Sequence, residues 1–313
     1  MDAVFSFAKP SPQSTVASNR IATFVSETLG LPLFYDGRVA DVKIDTLLIV
    51  NGAFAFCSCL EELGAAVERA KRIIWIKNDY AINPPKADGA AESPFRKAFR
   101  NRAAKNKEPT WLWSTCQADV VGGYHRYINW NSLTYSTPEE GNIYDERKKA
   151  KRDLFYYGAF RAQRLNSFDA YFFNSPVPVT ISSTSGKFQD RYPRPAILEG
   201  LPRSDFNQEL RSHGLGLYLE DDRSHREFHS PANRFYEMLS AGLPMVFQPE
   251  AVLQMAVAGY DIAPYVAASG SDALNRALRQ REAIGAAQRA AWCADYVGAL
   301  KKRVKKCYKE ISA

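Results

Sequence analysis

The chain has 313 residues, of which 46% are hydrophobic and 24% charged, as in ordinary globular proteins. This length fits two domains of about 150 residues better than one. The formal net charge of +7 favours a polyanionic partner, and no apolar run approaches the ~18 residues of a membrane span. Five cysteines without framework spacing, and the lack of a signal-peptide pattern, lead us to expect a reducing, cytoplasmic location.

The first half alternates helices with short apolar strands. Helical spacing of apolar residues predicts a helix over residues 13–29 that ends at Gly30, and a second helix over residues 60–71. Strands are predicted at residues 33–35, 45–50, 72–76 and 111–116. This alternation indicates right-handed βαβ units and a parallel sheet. Residues 122–145 are rich in turn-forming residues and are interpreted as a loop with short elements.

The second half repeats this pattern. Strands are predicted at residues 153–157, 177–181, 196–198, 215–219 and 244–247, with helices between them. Two helices are predicted after Asp272, the last one long and basic. The predicted fold class is α/β, with two Rossmann-like domains at residues 1–150 and 151–313, and the last helix able to pack back on the first domain.

The first predicted strand of the second domain ends in a candidate phosphate site. Gly158 follows the strand directly, and Arg161 and Arg164 follow in the predicted helix. Ligands of open α/β sheets bind beyond the carboxyl ends of the strands. Glycine allows close backbone approach, and arginine binds phosphate oxygens in a bidentate manner. This pattern suits a diphosphate, although both arginines could equally be exposed helix residues.

The second candidate site is a short helix followed by an apolar strand. Ser230 and Pro231 form a typical helix start, and Gly242 and Pro244 form a typical stop. Within the helix, Asn233 and Glu237 share one face and Arg234 lies beside them, while His229 precedes the start. The helix amides could face a pyrophosphate, with Glu237 accepting ribose hydroxyls. The alternative is an ordinary helix–turn–strand unit.

Together, Tyr-Tyr-Gly-x-x-Arg-x-x-Arg and, some 70 residues later, Asn-Arg-Phe-Tyr-Glu-x-x-x-x-Gly-x-Pro resemble the donor-binding domain of GT-B glycosyltransferases. The resemblance is strongest to a phage-encoded group that attaches sugars to hydroxymethylated pyrimidines in DNA. It covers mainly residues 150–250, and the first domain matches only in architecture. It implies two Rossmann-like domains with an interdomain cleft, and, for a phage-encoded enzyme, action in the host cytoplasm.

The resemblance also implies roles for the candidate residues. Glu237 would bind the ribose, Arg161 or Arg164 the diphosphate, and Gly158 would permit close approach. The donor would be a UDP-sugar, with no tightly bound cofactor and no metal required by the fold class. Retaining members commonly place a second acid seven residues before the ribose-binding one, but this chain has Ser230 there. The stereochemistry and the identity of the sugar therefore stay open.

An inverting transfer needs a base at the acceptor hydroxyl. The candidates in the first domain are Asp79, at the end of a predicted central strand, and Asp119 and His125 after the next one. Each could instead be structural. A zinc site among His213, His225 and His229 lacks the usual ligand spacing, so we expect no metal site. We interpret the acidic run at residues 220–222 as a solvated turn.

Three basic segments make nucleic acid the expected polyanion, because Lys and Arg pair with backbone phosphates. They are residues 96–107, 147–152 and 301–309. The favoured function is transfer of a hexose, most simply glucose, from a UDP-sugar to a hydroxymethylpyrimidine in double-stranded DNA. The alternatives are a GT-B enzyme with a lipid or polysaccharide acceptor, and a non-enzymatic nucleic-acid-binding α/β protein.

Overall fold

The computed structural model gives two compact units, one comprising residues 1–133 and 297–313 and the other residues 134–296. The residues that it describes are 1–7, 9, 17–50, 57–77, 94–105, 107–116, 120, 122–134, 150–173, 175–200, 206–221, 231–292 and 296–312.

The first unit contains a parallel six-stranded sheet in the order β2-β1-β3-β4-β5-β6. Its strands are β1 (Ala3–Ser6), β2 (Leu33–Phe34), β3 (Thr46–Val50), β4 (Arg72–Lys77), β5 (Trp111–Ser114) and β6 (His125–Tyr127). Its helices are α1 (Ala17–Leu29), α2 (Leu60–Arg69), α3 (Pro94–Ala104) and, from the far end of the sequence, α11 (Tyr296–Ser312).

Both faces of this sheet are covered, as parallel sheets require. Phe5, Leu47 and Ile73 lie in one apolar cluster with α2 and α3. Their neighbours in sequence face the opposite cluster, which α1 and α11 complete. Helix α11 contributes a buried stripe to it, formed by Leu300, Val304, Cys307 and Ile311. The helix that follows the second unit in the sequence is therefore part of the core of the first.

The second unit contains a parallel five-stranded sheet in the order β11-β10-β7-β8-β9. Its strands are β7 (Leu154–Tyr157), β8 (Val179–Ser183), β9 (Ala196–Glu199), β10 (Leu215–Tyr218) and β11 (Met245–Phe247). Its helices are α4 (Leu165–Phe172), α5 (Lys187–Arg191), α6 (Phe206–Arg211), α7 (Asn233–Ser240), α8 (Ala251–Val257), α9 (Asp272–Arg279) and α10 (Arg281–Trp292). An aromatic-rich core covers each face of the sheet.

Every strand that the sequence predicts is confirmed, with its ends shifted by no more than two residues. Two strands were not predicted. The segment of β1 was given no assignment, and β6 lies in the segment interpreted as a loop. The prediction of two helices after Asp272 is wrong, because the described residues there form three helices, α9, α10 and α11, with Gln280 between the first two. None of the described helices is both long and apolar enough to cross a lipid bilayer.

A buried carboxylate ties three strands of the second unit together at their amino ends. Asp153 accepts hydrogen bonds from Thr180 Oγ1 at 2.6 Å and from the Gly214 amide at 3.0 Å, and its Oδ2 lies 2.8 Å from His213 Nδ1. The His213 ring stacks on Phe155, with 3.7 Å between the ring centroids, and its Nε2 lies 3.1 Å from Glu209 Oε1. The role of His213 is therefore structural.

These contacts make the stability of the second unit depend on pH. Burial opposes ionisation of Asp153, but the hydrogen bonds from His213, Thr180 and Gly214 outweigh it, so its pKa lies below the ordinary value of 3.8. A carboxyl group with a lowered pKa in the folded state stabilises the fold above its unfolded-state pKa, about 3.9. That contribution is lost as the pH falls through the folded-state pKa.

We expect Asp153→Asn to lower the free energy of unfolding by about 2 kcal/mol near neutral pH, because buried donors lose their ionised acceptor. Urea unfolding should show the same loss of unfolding free energy at every pH from neutral down to about pH 4. Below that pH the difference between the variant and wild type should decrease. Asp190→Asn, at an exposed acid of α5, should change little. A deficit of equal size at about pH 3 would contradict this assignment.

Candidate functional site

The strand order of the second sheet reverses between β7 and β10. The chain builds outward from β7 through β8 to β9, then crosses to the other side of β7 and continues from β10 to β11. Such a reversal is where open α/β sheets bind ligands, beyond the carboxyl ends of the strands. Gly158 follows β7 at this point, and Leu219, Glu220 and Asp221 follow β10.

Gly158 brings the backbone close to charged side chains at this reversal. Its φ of 141° lies in the region that favours glycine. A Cβ at this position would lie 3.3 Å from both Arg234 Nη2 and the Tyr156 hydroxyl oxygen. Its amide donates a hydrogen bond to the Ser182 carbonyl at 3.1 Å. The structure thus places Gly158 beside Arg234, 76 positions later in the sequence.

Helix α7 lies directly against β10 because Gly216 has no side chain. A Cβ there would overlap Met238 Sδ and would lie 3.0 Å from Leu243 Cδ2. The helix ends as predicted, with Gly242 at a φ of 69° and the Leu243 amide donating to the Met238 carbonyl at 2.9 Å.

The predicted start of this helix is wrong. Helix α7 begins at Asn233 with Ala232 as its N-cap, instead of at the predicted cap Ser230. The Ala232 amide donates to the Tyr218 hydroxyl at 3.0 Å, which holds that residue extended. Ser230 and His229 lie outside the described residues.

Glu237 is held by a tyrosine that the sequence did not single out. Its Oε2 accepts a hydrogen bond of 2.7 Å from the Tyr157 hydroxyl, which also lies 3.4 Å from the Arg234 carbonyl. Burial, reinforced by the charge of Glu237, raises the pKa of Tyr157 well above its ordinary value, so the hydroxyl stays protonated and donates. The contact joins residues 80 positions apart, so only tertiary structure reveals it.

Two acids at the end of β10 are buried, so the prediction of a solvated turn is wrong. Glu220 is 3% exposed and Asp221 is 8% exposed, while Asp222 lies outside the described residues. Glu220 Oε2 pairs with Arg164 Nη2, and Asp221 Oδ2 lies 3.5 Å from Arg164 Nε. The acids are buried because arginine side chains pack against them and neutralise their charge. The sequence pattern of three adjacent acids does not reveal those partners.

Arg234 is the second of these arginines. Its Nε lies 3.3 Å from Glu220 Oε1, its Nη1 donates to the Leu219 carbonyl at 3.3 Å, and its guanidinium stacks over the Tyr156 ring. Burial opposes its charge, but Tyr156 and Glu220 outweigh burial and raise its pKa. A guanidinium with fixed orientation at Gly158 can donate hydrogen bonds to an anion.

The other candidates of the second unit occupy different positions. Arg161 is exposed and precedes the short 3-10 turn Ala162–Arg164, so the predicted helix begins only at Leu165. Arg164 is 4% exposed, and its Nη1 donates to the Tyr156 hydroxyl at 3.3 Å. Asn233 carries a buried Oδ1 without a hydrogen-bond partner among the described residues.

The base candidates of the first unit are not brought together by the described structure. His125 begins β6, at the amino end of the parallel sheet and so away from the carboxyl ends of the strands. Asp79 and Asp119, which follow β4 and β5 in sequence, lie outside the described residues. Among the described residues, no cluster of His, Cys, Asp or Glu side chains is placed to hold a metal ion.

No protein-family model and no curated protein sequence matches this chain. Solved structures do. T4 phage beta-glucosyltransferase in complex with its UDP-glucose substrate superposes with a TM-score of 0.65 at 14% identity, covering 99% of this chain and 97% of that one. The same phage enzyme with UDP and Mn²⁺ gives 0.62 at 13% identity and the same coverage. An alpha-glucosyltransferase in complex with UDP and a 13-mer DNA gives 0.57 at 10% identity, covering 94% of each chain.

The chain has the fold of these GT-B glucosyltransferases. Identities of 10–14% show the fold alone. The fold resemblance predicted from the motifs at residues 157–164 and 233–244 is confirmed.

We expect Gly158→Ala to lower the free energy of unfolding by about 1–3 kcal/mol, because alanine is strained at this φ and its Cβ presses on Arg234 and Tyr156. Gly186→Ala is the matched control, since Gly186 has a helical φ of −59° and an open space at its Cβ position. Thermal unfolding of both variants checks this, and equal melting temperatures would contradict the strained geometry.

Proposed function

We propose that this chain is a glycosyltransferase that transfers a hexose, with glucose favoured, from a UDP-sugar to the hydroxymethyl group of a modified pyrimidine in DNA. The observation that carries the proposal is the cluster of Gly158, Arg234 and Glu237 at the strand-order reversal of the second sheet. A glycine, a guanidinium and a carboxylate at this position suit a diphosphate joined to a ribose. The shared fold supports it, because solved structures of those enzymes are complexes with UDP-glucose in one case and with UDP and DNA in the other.

In this proposal the donor is bound by the second unit. Glu237, oriented by Tyr157, accepts hydrogen bonds from the ribose hydroxyls, and Arg234 contacts the diphosphate next to Gly158. Arg161 is exposed and is a second candidate for contact with the same diphosphate. Arg164 is buried and affects the diphosphate indirectly, through the acids with which it is paired. The Oδ1 of Asn233, which has no hydrogen-bond partner among the described residues, gives the donor one more acceptor. His229 and Ser230 complete the proposed donor set.

The chemistry requires that negative charge developing on the departing UDP be stabilised. Fixed guanidinium donors supply this stabilisation without reorganising during the reaction. The acceptor hydroxyl needs a base if the reaction inverts the sugar. Asp79 and Asp119 remain the better candidates because they follow the carboxyl ends of β4 and β5, where His125 does not lie.

The basic segments differ in what they offer to DNA. In residues 96–107, Arg102 is 3% exposed and donates to the Val67 carbonyl, and Lys107 donates to the Glu68 carbonyl. These two residues stabilise the end of α2 and are unavailable to phosphates. Of residues 147–152, only 150–152 are described. Helix α11 instead exposes six basic side chains opposite its buried stripe: Lys301, Lys302, Arg303, Lys305, Lys306 and Lys309.

Helix α11 is therefore the strongest described candidate for contact with DNA phosphates. Its acid Glu310 is paired with Arg126 at 3.0 Å, which leaves the exposed face strongly positive. The same face could meet an anionic membrane, which is what a lipid acceptor would require. The specificity for a hydroxymethylated base distinguishes the two acceptor classes.

The proposal is tested by incubating the protein with UDP-glucose and either hydroxymethylated or plain duplex DNA, followed by mass spectrometry of the nucleosides. We expect hexosylated nucleosides only from hydroxymethylated DNA. Parallel reactions with EDTA and with Mn²⁺ determine whether a divalent ion takes part, and other UDP-hexoses determine the sugar. A protein that binds neither UDP nor any UDP-sugar, and modifies no DNA, would refute the proposal.

Glu237→Ala should weaken UDP binding by about tenfold to a hundredfold, because hydrogen bonds to charged groups contribute about 1.5–3 kcal/mol. Tyr157→Phe should weaken it less, since the carboxylate is kept but loses its orienting donor. Isothermal titration with UDP measures both, and Asp190→Asn serves as the control for loss of one exposed acid in the same unit. Unchanged UDP affinity in Glu237→Ala would remove this residue from the site.

Removing three charges from α11 should weaken DNA binding and lower its salt dependence by up to about 2.7 units of slope, close to 0.9 for each lost phosphate contact. The variant replaces Lys301, Lys305 and Lys309 by Gln. The control replaces three exposed basic residues of the second unit by Gln, namely Lys187, Arg194 and Arg279. DNA titrations at several salt concentrations compare them. Equal slopes for wild type and the α11 variant would contradict the assignment.

A further inference from the structure

One carboxylate bridges two guanidiniums at the strand-order reversal, that of buried Arg164 and that of largely buried Arg234. Glu220 Oε2 forms an ion pair with Arg164 Nη2, and Glu220 Oε1 lies 3.3 Å from Arg234 Nε in a second ion pair. Asp221 adds a second negative charge, with Oδ2 3.5 Å from Arg164 Nε. Among the described residues, two cations and two anions therefore share one largely buried cluster, and their formal charges balance.

The position of Glu220 is fixed by the sheet. Its amide donates to Gln248 Oε1 at 3.3 Å, and its carbonyl accepts from Gln248 Nε2, also at 3.3 Å. Gln248 follows β11, so its side chain links the carboxyl ends of β10 and β11 through Glu220. The backbone of Glu220 is therefore fixed independently of the arginines, and its side chain starts from a defined position beside them.

The bridge leaves one edge of a guanidinium directed at the candidate donor site. Arg234 Nε is ion-paired with Glu220, and its Nη1 donates a hydrogen bond to the Leu219 carbonyl. Its Nη2 lies beside Gly158. Arg164 Nη2 is ion-paired with Glu220, and its Nη1 donates a hydrogen bond to the Tyr156 hydroxyl. An anion arriving beside Gly158 thus meets arginines whose charge is already offset by resident carboxylates.

We propose that Glu220, together with Asp221, is the resident counter-ion of this arginine pair, and that it both positions the guanidiniums and limits their affinity for the donor's diphosphate. This inference rests on the proposed function, because it takes the diphosphate of a UDP-sugar as the incoming anion. Without the carboxylates the arginines would keep their charge, and the diphosphate would be attracted more strongly. The acids are positioning residues, since they act on the donor through the arginines.

The test replaces Glu220 by Gln, which keeps the shape and one acceptor oxygen but removes the charge. We expect the ligand-free variant to melt at a lower temperature than wild type, because two buried cations have lost a counter-ion. UDP should then raise the melting temperature by more than in wild type, and UDP affinity should increase by about tenfold or more, since a unit charge a few ångström from a phosphate has an effect of this size. Uridine, which lacks phosphates, should affect both proteins equally.

Two further variants complete the design. Glu220→Asp keeps the charge and should restore the wild-type response to UDP, which separates charge from packing. Asp190→Asn removes an exposed charge from the same unit and should leave the response unchanged. In turnover, Glu220→Gln should lower both KM for the UDP-sugar and kcat, because the product UDP is released more slowly.

The outcomes separate this inference from the proposed function. If UDP stabilises wild type and Glu220→Gln equally, the counter-ion role is refuted and the donor site stands. If UDP stabilises neither protein, the proposed function itself fails. If Glu220→Gln does not fold, Asp221→Asn carries the test, with the same direction and a smaller effect expected. An unchanged difference between UDP and uridine in that variant would refute the inference.

Discussion

The pairing of β7 with β10 is the interaction on which the candidate site depends. These parallel strands are separated by some 60 residues, and their hydrogen bonds, from Leu154 opposite Leu215 onward, put their carboxyl ends side by side. Gly158 and the acids after β10 therefore lie at the same edge of the sheet, and α7, packed on Gly216, brings Arg234 next to Gly158 and Glu237 next to Tyr157. The positions of these charged side chains are well defined because strand pairing and close helix packing fix the backbone that carries them.

Local pattern predicted the parts of this arrangement that depend on short-range physics. Strands with continuous apolar runs, the stop of α1 at Gly30 and the end of α7 at Gly242 all follow from residues that are neighbours in sequence. The same is true of Gly158 and Glu237 as candidates, because Gly158 directly follows a predicted strand and Glu237 lies in a short predicted helix with a recognisable stop at Gly242. Strand β1 was not predicted, although it is as long as β5 and β7, which were.

Pairings across long stretches of sequence could not be predicted in this way. Three adjacent acids predict a solvated turn unless their arginine partners are known, and Arg164 lies 56 residues before Glu220. Arg102 gives the opposite case, since a basic run suggests an exposed face although this side chain ends buried against carbonyls of α2 and the residues after it. In both cases the burial of a charge is decided by a partner that sequence spacing does not reveal.

The placement of α11 has a consequence for the order in which the protein is made. The stripe Leu300, Val304, Cys307 and Ile311 covers a face of the first sheet whose last strand, β6, is translated about 170 residues earlier. At ribosomal rates of ~5–20 residues per second, that apolar face stays uncovered by α11 for many seconds. The second unit, by contrast, draws its core from contiguous residues and can close before α11 emerges. The second unit's core is therefore fully translated before that of the first, although the first unit begins the sequence.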